Sequence, residues 1–108
     1  MTEDQTRRIR ELNDLARQTF TGCRVMITPG IQGLDDTEAV LRKVQQFDTF
    51  TAENDPYGEH DFGSFRDNGE TVFWKFDYYD LDLTMHSPDA SDPYVTARVL
   101  NVMLGEEY

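Results

Sequence analysis

The chain has one cysteine, Cys23, so an internal disulfide is excluded. A lone thiol suits a reducing compartment, and Cys23 is read as a small buried apolar residue rather than a nucleophile. There is no apolar run near the roughly 18 residues of a membrane span. The start, Met1-Thr2-Glu3-Asp4, is polar and acidic, without the apolar core of a signal peptide. Together these absences lead to the expectation of a soluble cytoplasmic protein without a membrane partner. Positive charge is also scarce. Beyond Lys43 the chain carries only Arg66, Lys75 and Arg98, too few to track a phosphate backbone, so direct nucleic-acid binding is not expected. No Gly-rich phosphate loop, serine elbow or cysteine–histidine pairing is present, and no cofactor is expected.

What the chain has instead is acid, unevenly placed. Residues 1–47 balance seven Asp/Glu against seven Lys/Arg. Residues 48–108 hold fourteen Asp/Glu against three basic residues, which accounts for the whole net charge of −11. Such a field repels nucleic acid and attracts basic protein surfaces. The same charge also serves ordinary solubility. With 108 residues the chain suffices for one domain, which buries roughly two-thirds of its unfolded surface without a disulfide or metal. Thirteen aromatic residues concentrate its apolar area into few positions.

Patterning predicts the elements. Ile9, Leu12, Leu15, Ala16 and Phe20 recur at helical spacing, giving a helix over 2–20 with Thr2 and Gln5 as a capping box and Gly22 as its stop. Arg7, Arg8, Arg10 and Arg17 are spaced to pair with nearby acids on its solvent face. Residues 23–28 read as a short strand closed by a Pro29-Gly30 turn, and 36–47 as a second helix capped by Asp35 or Asp36. Asn68-Gly69 joins strands 61–67 and 70–79 into a hairpin, because a two-residue type I′ turn needs positive φ at both positions. In that register Gly63 faces Trp74, and Phe65, Val72, Trp74, Phe76 and Tyr78 share the core face. Asp92-Pro93 looks like a helix start, with Val95, Val99, Leu100, Met103 and Leu104 as the stripe of a closing helix over 92–104. The expected class is α+β: an antiparallel sheet of about three strands packed with about three helices on its Trp74 face.

Five phrases in order carry a family resemblance: Asn13-Asp-Leu-Ala-Arg-Gln-Thr-Phe-Thr-Gly22, Phe47-Asp-Thr-Phe-Thr51, Asn54-Asp-Pro-Tyr-Gly-Glu-His-Asp-Phe-Gly63, Phe73-Trp-Lys-Phe-Asp-Tyr-Tyr-Asp80 and Arg98-Val-Leu-Asn-Val-Met-Leu-Gly-Glu-Glu-Tyr108. Over residues 13–108 the chain resembles domain-of-unknown-function family 3768, small bacterial proteins. The resemblance implies a setting on plasmids and phage-like elements. It brings no activity, substrate or ligand.

Two functional expectations follow. The first is a non-enzymatic acidic interaction protein that occupies a basic, nucleic-acid-binding protein surface. Its sharp form is a nucleic-acid mimic, anti-CRISPR-like in logic, inhibiting a host nuclease or defence complex. Its contact residues would be Glu53, Asp55, Glu59, Asp67, Glu70, Tyr79, Asp80, Asp82 and Asp89. The second is a small acid/base or metal-dependent enzyme centred on His60, with Asp55, Glu59 and Asp61 beside it. The spacing of those four matches no calcium loop or two-histidine zinc motif. The plain alternative for 54–61 is a loop whose Asn and Asp side chains bond their own backbone.

Overall fold

The computed structural model describes residues 2–108. Helix α1 spans Glu3–Thr19, and its first turn is closed by the Thr2/Gln5 capping box. It ends two residues earlier than Gly22 suggests, because Phe20 itself takes the left-handed conformation, φ 55°. Strand β1 covers Arg24–Ile27. Pro29 opens a one-turn helix, α2 (Pro29–Gln32), where a turn was expected, since a proline at the first position and the Thr28 cap favour helix. Helix α3 (Thr37–Gln46) starts on the Asp36 cap. The hairpin forms as β2 (Phe62–Asp67) and β3 (Glu70–Tyr79) in the expected register, Gly63 opposite Trp74.

The closing helix over 92–104 is not there. Residues Ala97–Leu104 are strand β4, and a short 3-10 turn, Gly105–Glu107, ends the chain. The misreading has a physical cause. The run 99–104 is apolar on both sides because β4 lies inside the sheet, with Leu100 and Val102 on one face and Val99 and Met103 on the other, all buried. A nearly continuous apolar run, broken only by Asn101, fits helical spacing by accident. The Asp92 carboxylate accepts the Tyr94 N–H (2.9 Å), forming a turn rather than a helix cap.

The sheet therefore has four strands, not three, in the order β1-β4-β3-β2. It is mixed, with β1 parallel to β4 and the other pairs antiparallel. All three helices pack on its Trp74 face. Ala16, Ile31, Val40 and Val44 meet Val72, Trp74, Phe76, Leu100, Val102 and Leu104 in one core. Cys23 is half-buried at the edge of this core.

Helix α1 does not bury the stripe its spacing suggests. Leu15 is 58 % exposed, whereas Asn13 and Arg17 are buried with Ile9 and Ala16. Arg17 does pair with Asp14 as its spacing suggests (3.3 Å), but its burial corrects the solvent-face reading. Its guanidinium donates to the carbonyls of Val44, Gln45 and Phe47 at the end of α3 and lies 5.1 Å from the Trp74 ring. Arg8 stays exposed and Arg10 half-buried, and rather than pairing with acids of the helix they donate to the carbonyls of Ser91 and Gly58.

Trp74, fully buried, lies against the bare Cα of Gly63. A β-carbon there would sit 2.6 Å from the indole nitrogen. Gly63→Ala is therefore expected to destabilise the fold by about 1–3 kcal/mol through overpacking, measured by denaturant unfolding. Gly69→Ala, in open space at the hairpin turn, is the control for backbone strain without a clash.

Candidate functional site

The loop 48–61 crosses beneath α1 before the hairpin begins. It is built largely by its own side chains. Asn54 Oδ1 accepts the Thr51 N–H (2.9 Å), and Asp55 Oδ1 accepts the His60 N–H (3.0 Å). His60 adopts φ 53° and stacks flat on Phe50, centroids 3.6 Å apart. Its Nδ1 is 2.8 Å from Asp14 and its Nε2 is 3.6 Å from Asp55. Both ring nitrogens thus face carboxylates, and the Asp14 contact fastens the loop to α1, while the ring edge and Asp14 line a small open cleft with Phe47 and Phe50. Of the acids expected around His60, Asp55 joins it while Glu59 turns away to Tyr78. Among the described residues no three His, Cys, Asp or Glu side chains are arranged to hold a metal ion. Burial holds the Asp61 carboxyl above the usual carboxylate range.

Glu59 leads into the best-connected polar group in the protein. Tyr78 donates to Glu59 Oε1 (3.0 Å). Asn13 Nδ2 donates to the Tyr78 oxygen (2.8 Å) and the Glu59 carbonyl (3.0 Å). Arg98 Nε donates to Asn13 Oδ1 (2.7 Å), and its Nη2 donates to the Ala90 carbonyl (2.6 Å). The Arg98 guanidinium lies 5.1 Å over the Tyr78 ring. Five separate segments are thereby joined: α1, the 48–61 loop, β3, β4 and the loop around Ala90. Burial is the main influence on each member that titrates. It raises Glu59 above the usual carboxylate range, against a smaller lowering by Tyr78, and it also raises Tyr78 and lowers Arg98. Glu59 and Tyr78 also line an open cleft of about 540 Å³, between the N-terminal half of α1 and residues 88–90.

After β3 the chain makes a tight loop over residues 80–86, closed by a bridge between Tyr79 and His86. Asp80 organises it. Asp80 Oδ1 accepts the N–H groups of Thr84 (3.0 Å) and Met85 (3.4 Å), and Oδ2 accepts the Thr84 hydroxyl (3.2 Å). Those bonds, the Thr84 N–H foremost, hold the Asp80 carboxyl below its ordinary range. Leu83 sits at φ 61°. The apolar side chains of this loop point to solvent: Leu81 is 63 % exposed, Leu83 38 % and Met85 71 %.

The nine expected contact residues do not converge. Asp67 and Glu70 flank the hairpin turn at one end of β3, and Asp80 and Asp82 follow its other end. Ten residues of strand separate these pairs by roughly 30 Å. Asp67 is paired with Lys43. Asp89 accepts the N–H and hydroxyl of Ser91, both on Oδ1. Asp55 and Glu59 are nearly buried, Tyr79 is half-buried at the strand end, and Glu53, Glu70 and Asp82 are exposed. One pairing is new: Glu59 and Asp89 line the same cleft.

Asn13, Tyr78 and Arg98 were not among the expected site residues. The available signals were a polar residue four positions after Ile9 on the buried face of α1, and an arginine at the start of a mostly apolar strand.

The sequence model of the family described as "Protein of unknown function (DUF3768)" matches residues 27–107. The chain belongs to that family. The match begins within β1, so α1 lies outside it. No curated protein and no solved structure matches the chain. Among the described residues no helix is long and apolar enough to cross a membrane.

Two predictions come from the buried network. Glu59 has its folded pKa raised, so the stability it contributes is present below its unfolded value and is lost as pH rises through the folded value. Glu59→Gln keeps an acceptor for Tyr78 but removes the buried charge. It should raise the thermal midpoint at neutral pH, with the gain vanishing below the ordinary range of glutamate, read by melts across pH. Asn13→Ala strips a donor and an acceptor from four connected segments and should cost about 1–3 kcal/mol in denaturant unfolding.

Proposed function

We propose that this chain is a non-enzymatic binding protein that docks on a basic protein surface through the 80–86 loop and the acids beside it. The observation that carries the reading is the exposure of Leu81, Leu83 and Met85 on a backbone that cannot fold them away. A loop free to relax would turn such side chains inward. Here the Asp80 bonds and the left-handed Leu83 fix them outward, an arrangement that costs strain and apolar exposure. Apolar side chains held together at the surface mark a contact site, and the surrounding charge supplies steering. Asp82, exposed between Leu81 and Leu83, adds negative charge to the hydrophobic tip, so the fitting partner presents an apolar pocket rimmed by Lys or Arg.

A narrower form of the proposal makes the partner surface one that otherwise holds nucleic acid, as on a nuclease or defence complex that the chain would inhibit. The net charge of −11 supports that choice of partner. The spread of the acids along β3 supports a local contact at the loop rather than carboxylates laid in rows. Binding of nucleic acid by the chain itself is opposed by the net charge of −11, and Arg10, Arg17 and Arg98 donate to the chain's own carbonyls.

The test is a paired pull-down from the host with the tagged chain and its Leu81→Ser/Met85→Ser variant. The expected outcome is a basic protein held by the parent chain at low salt, released at high salt, and bound at least about tenfold more weakly by the variant while the thermal midpoint is unchanged. Equal capture by both forms would remove the loop from the interface, and salt-independent capture would remove the electrostatic part.

A further inference from the structure

Charged carboxylates are rarely buried without a cation, because the lost hydration must be replaced. Glu59 is 8 % exposed, and no Lys or Arg nitrogen lies within 4.0 Å of its carboxylate among the described residues. Its one hydrogen-bond partner is the Tyr78 hydroxyl, on Oε1, and it is Glu59 that the cleft beside α1 reaches. The nearest candidate counter-ion, Arg98, is already committed to Asn13, to the Ala90 carbonyl and to the Tyr78 ring. Ile9, Glu59 and Tyr78 make the buried side of this cleft, while Gln5, Pro88 and Asp89 make its outer side. No basic side chain lines it.

The walls are fixed as well as complementary. Arg10 ties the loop just before Glu59 to α1 through the Gly58 carbonyl (2.8 Å). Arg8 ties the opposite loop to α1 through the Ser91 carbonyl (3.2 Å). Asn13 holds the Glu59 carbonyl from below. A preformed, partly apolar cleft that two carboxylates line without a cation in salt-bridge contact among the described residues has the anatomy of a small-ligand site.

We propose that this cleft is a binding site for an alkylammonium or alkylguanidinium group, with Glu59 as its ion-pair partner, Asp89 as a second anionic contact at the mouth, and Ile9 and Pro88 against the alkyl stem. The cation replaces the hydration that Glu59 loses on folding. The same chemistry comes from two sources, a free amine such as a polyamine or a Lys or Arg side chain of another protein. The site does not depend on the 80–86 loop.

The test uses the intact chain, isotopically labelled and titrated separately with agmatine, n-butylammonium, n-butanol and a glycine-flanked lysine peptide with blocked ends. Saturable amide shifts with the cations, centred on Ile9, Tyr78 and Ala90 and absent with n-butanol, are the expected result. Glu59→Gln should weaken cation binding by about tenfold or more. Leu81→Ser/Met85→Ser should leave cation binding as it is, which separates this site from the docking loop. Tighter binding of agmatine than of the peptide identifies a free amine as the source, and the reverse identifies a protein side chain. The proposal is overturned by shifts that fail to saturate with every cation, by shifts centred elsewhere, by equal response to n-butanol, or by unchanged affinity in Glu59→Gln.

Discussion

The structure depends on the polar side chains that α1 turns inward. Asn13 and Arg17 are four residues apart, and both are buried where an ordinary amphipathic helix would place leucines. Desolvating a guanidinium is expensive, and its burial lowers the Arg17 pKa. The cost is offset by the carbonyls left open at the end of α3, which Arg17 satisfies, and by the faces of Trp74 and Phe50, over which it lies. One turn earlier, Asn13 joins β3, β4 and the loop that carries Glu59. The helix thereby fixes irregular chain as well as the sheet. The cleft beside Glu59 exists because α1 holds both of its banks.

This division of labour explains the distribution of charge. The first half of the chain is neutral overall, yet Arg8, Arg10 and Arg17 are each tied to backbone carbonyls, with Arg17 turned fully inward. Most acids of the second half fall into two groups. Some are architectural: Asp80 and Asp89 organise loops, and Glu107 accepts the Thr28 hydroxyl (2.6 Å) and the Gly30 N–H (3.0 Å) to tie the chain end to α2. Others, such as Glu53, Glu70 and Asp82, stand in solvent. An acidic composition is therefore a poor guide to an acidic surface, since each carboxylate used as a loop staple is partly screened by the N–H groups it accepts. Glu59 belongs to neither group, because it is buried and has no cation of its own.

Much of the fold was legible. The Thr2/Gln5 box, the Asp36 cap and the Asn68-Gly69 turn are local chemistry, and each element they start or join formed near its expected place. Period-two alternation from Phe65 to Tyr78 identified the core face of the hairpin and the contact of Gly63 with Trp74. Strand β4 was not legible, because a strand buried on both faces loses the alternation that distinguishes it from a helix. Of the candidate site, Glu59 and Asp89 were named from charge alone. Their partners Asn13, Tyr78 and Arg98 lie 46, 19 and 39 positions from Glu59 in sequence, and no local pattern connects them.

By itself the sequence determined where most elements begin and end, which face of the hairpin is apolar, and that the charge is negative and late in the chain. Those properties come from spacing and side-chain type within a few residues. Only the tertiary structure decided that β1 pairs parallel to β4, that an arginine and an asparagine would be buried in α1, and which carboxylate would be left in a cleft without a counter-ion. Such outcomes depend on which distant backbone carbonyls and aromatic faces are brought within reach of one side chain, and that is set when the helix packs on the sheet.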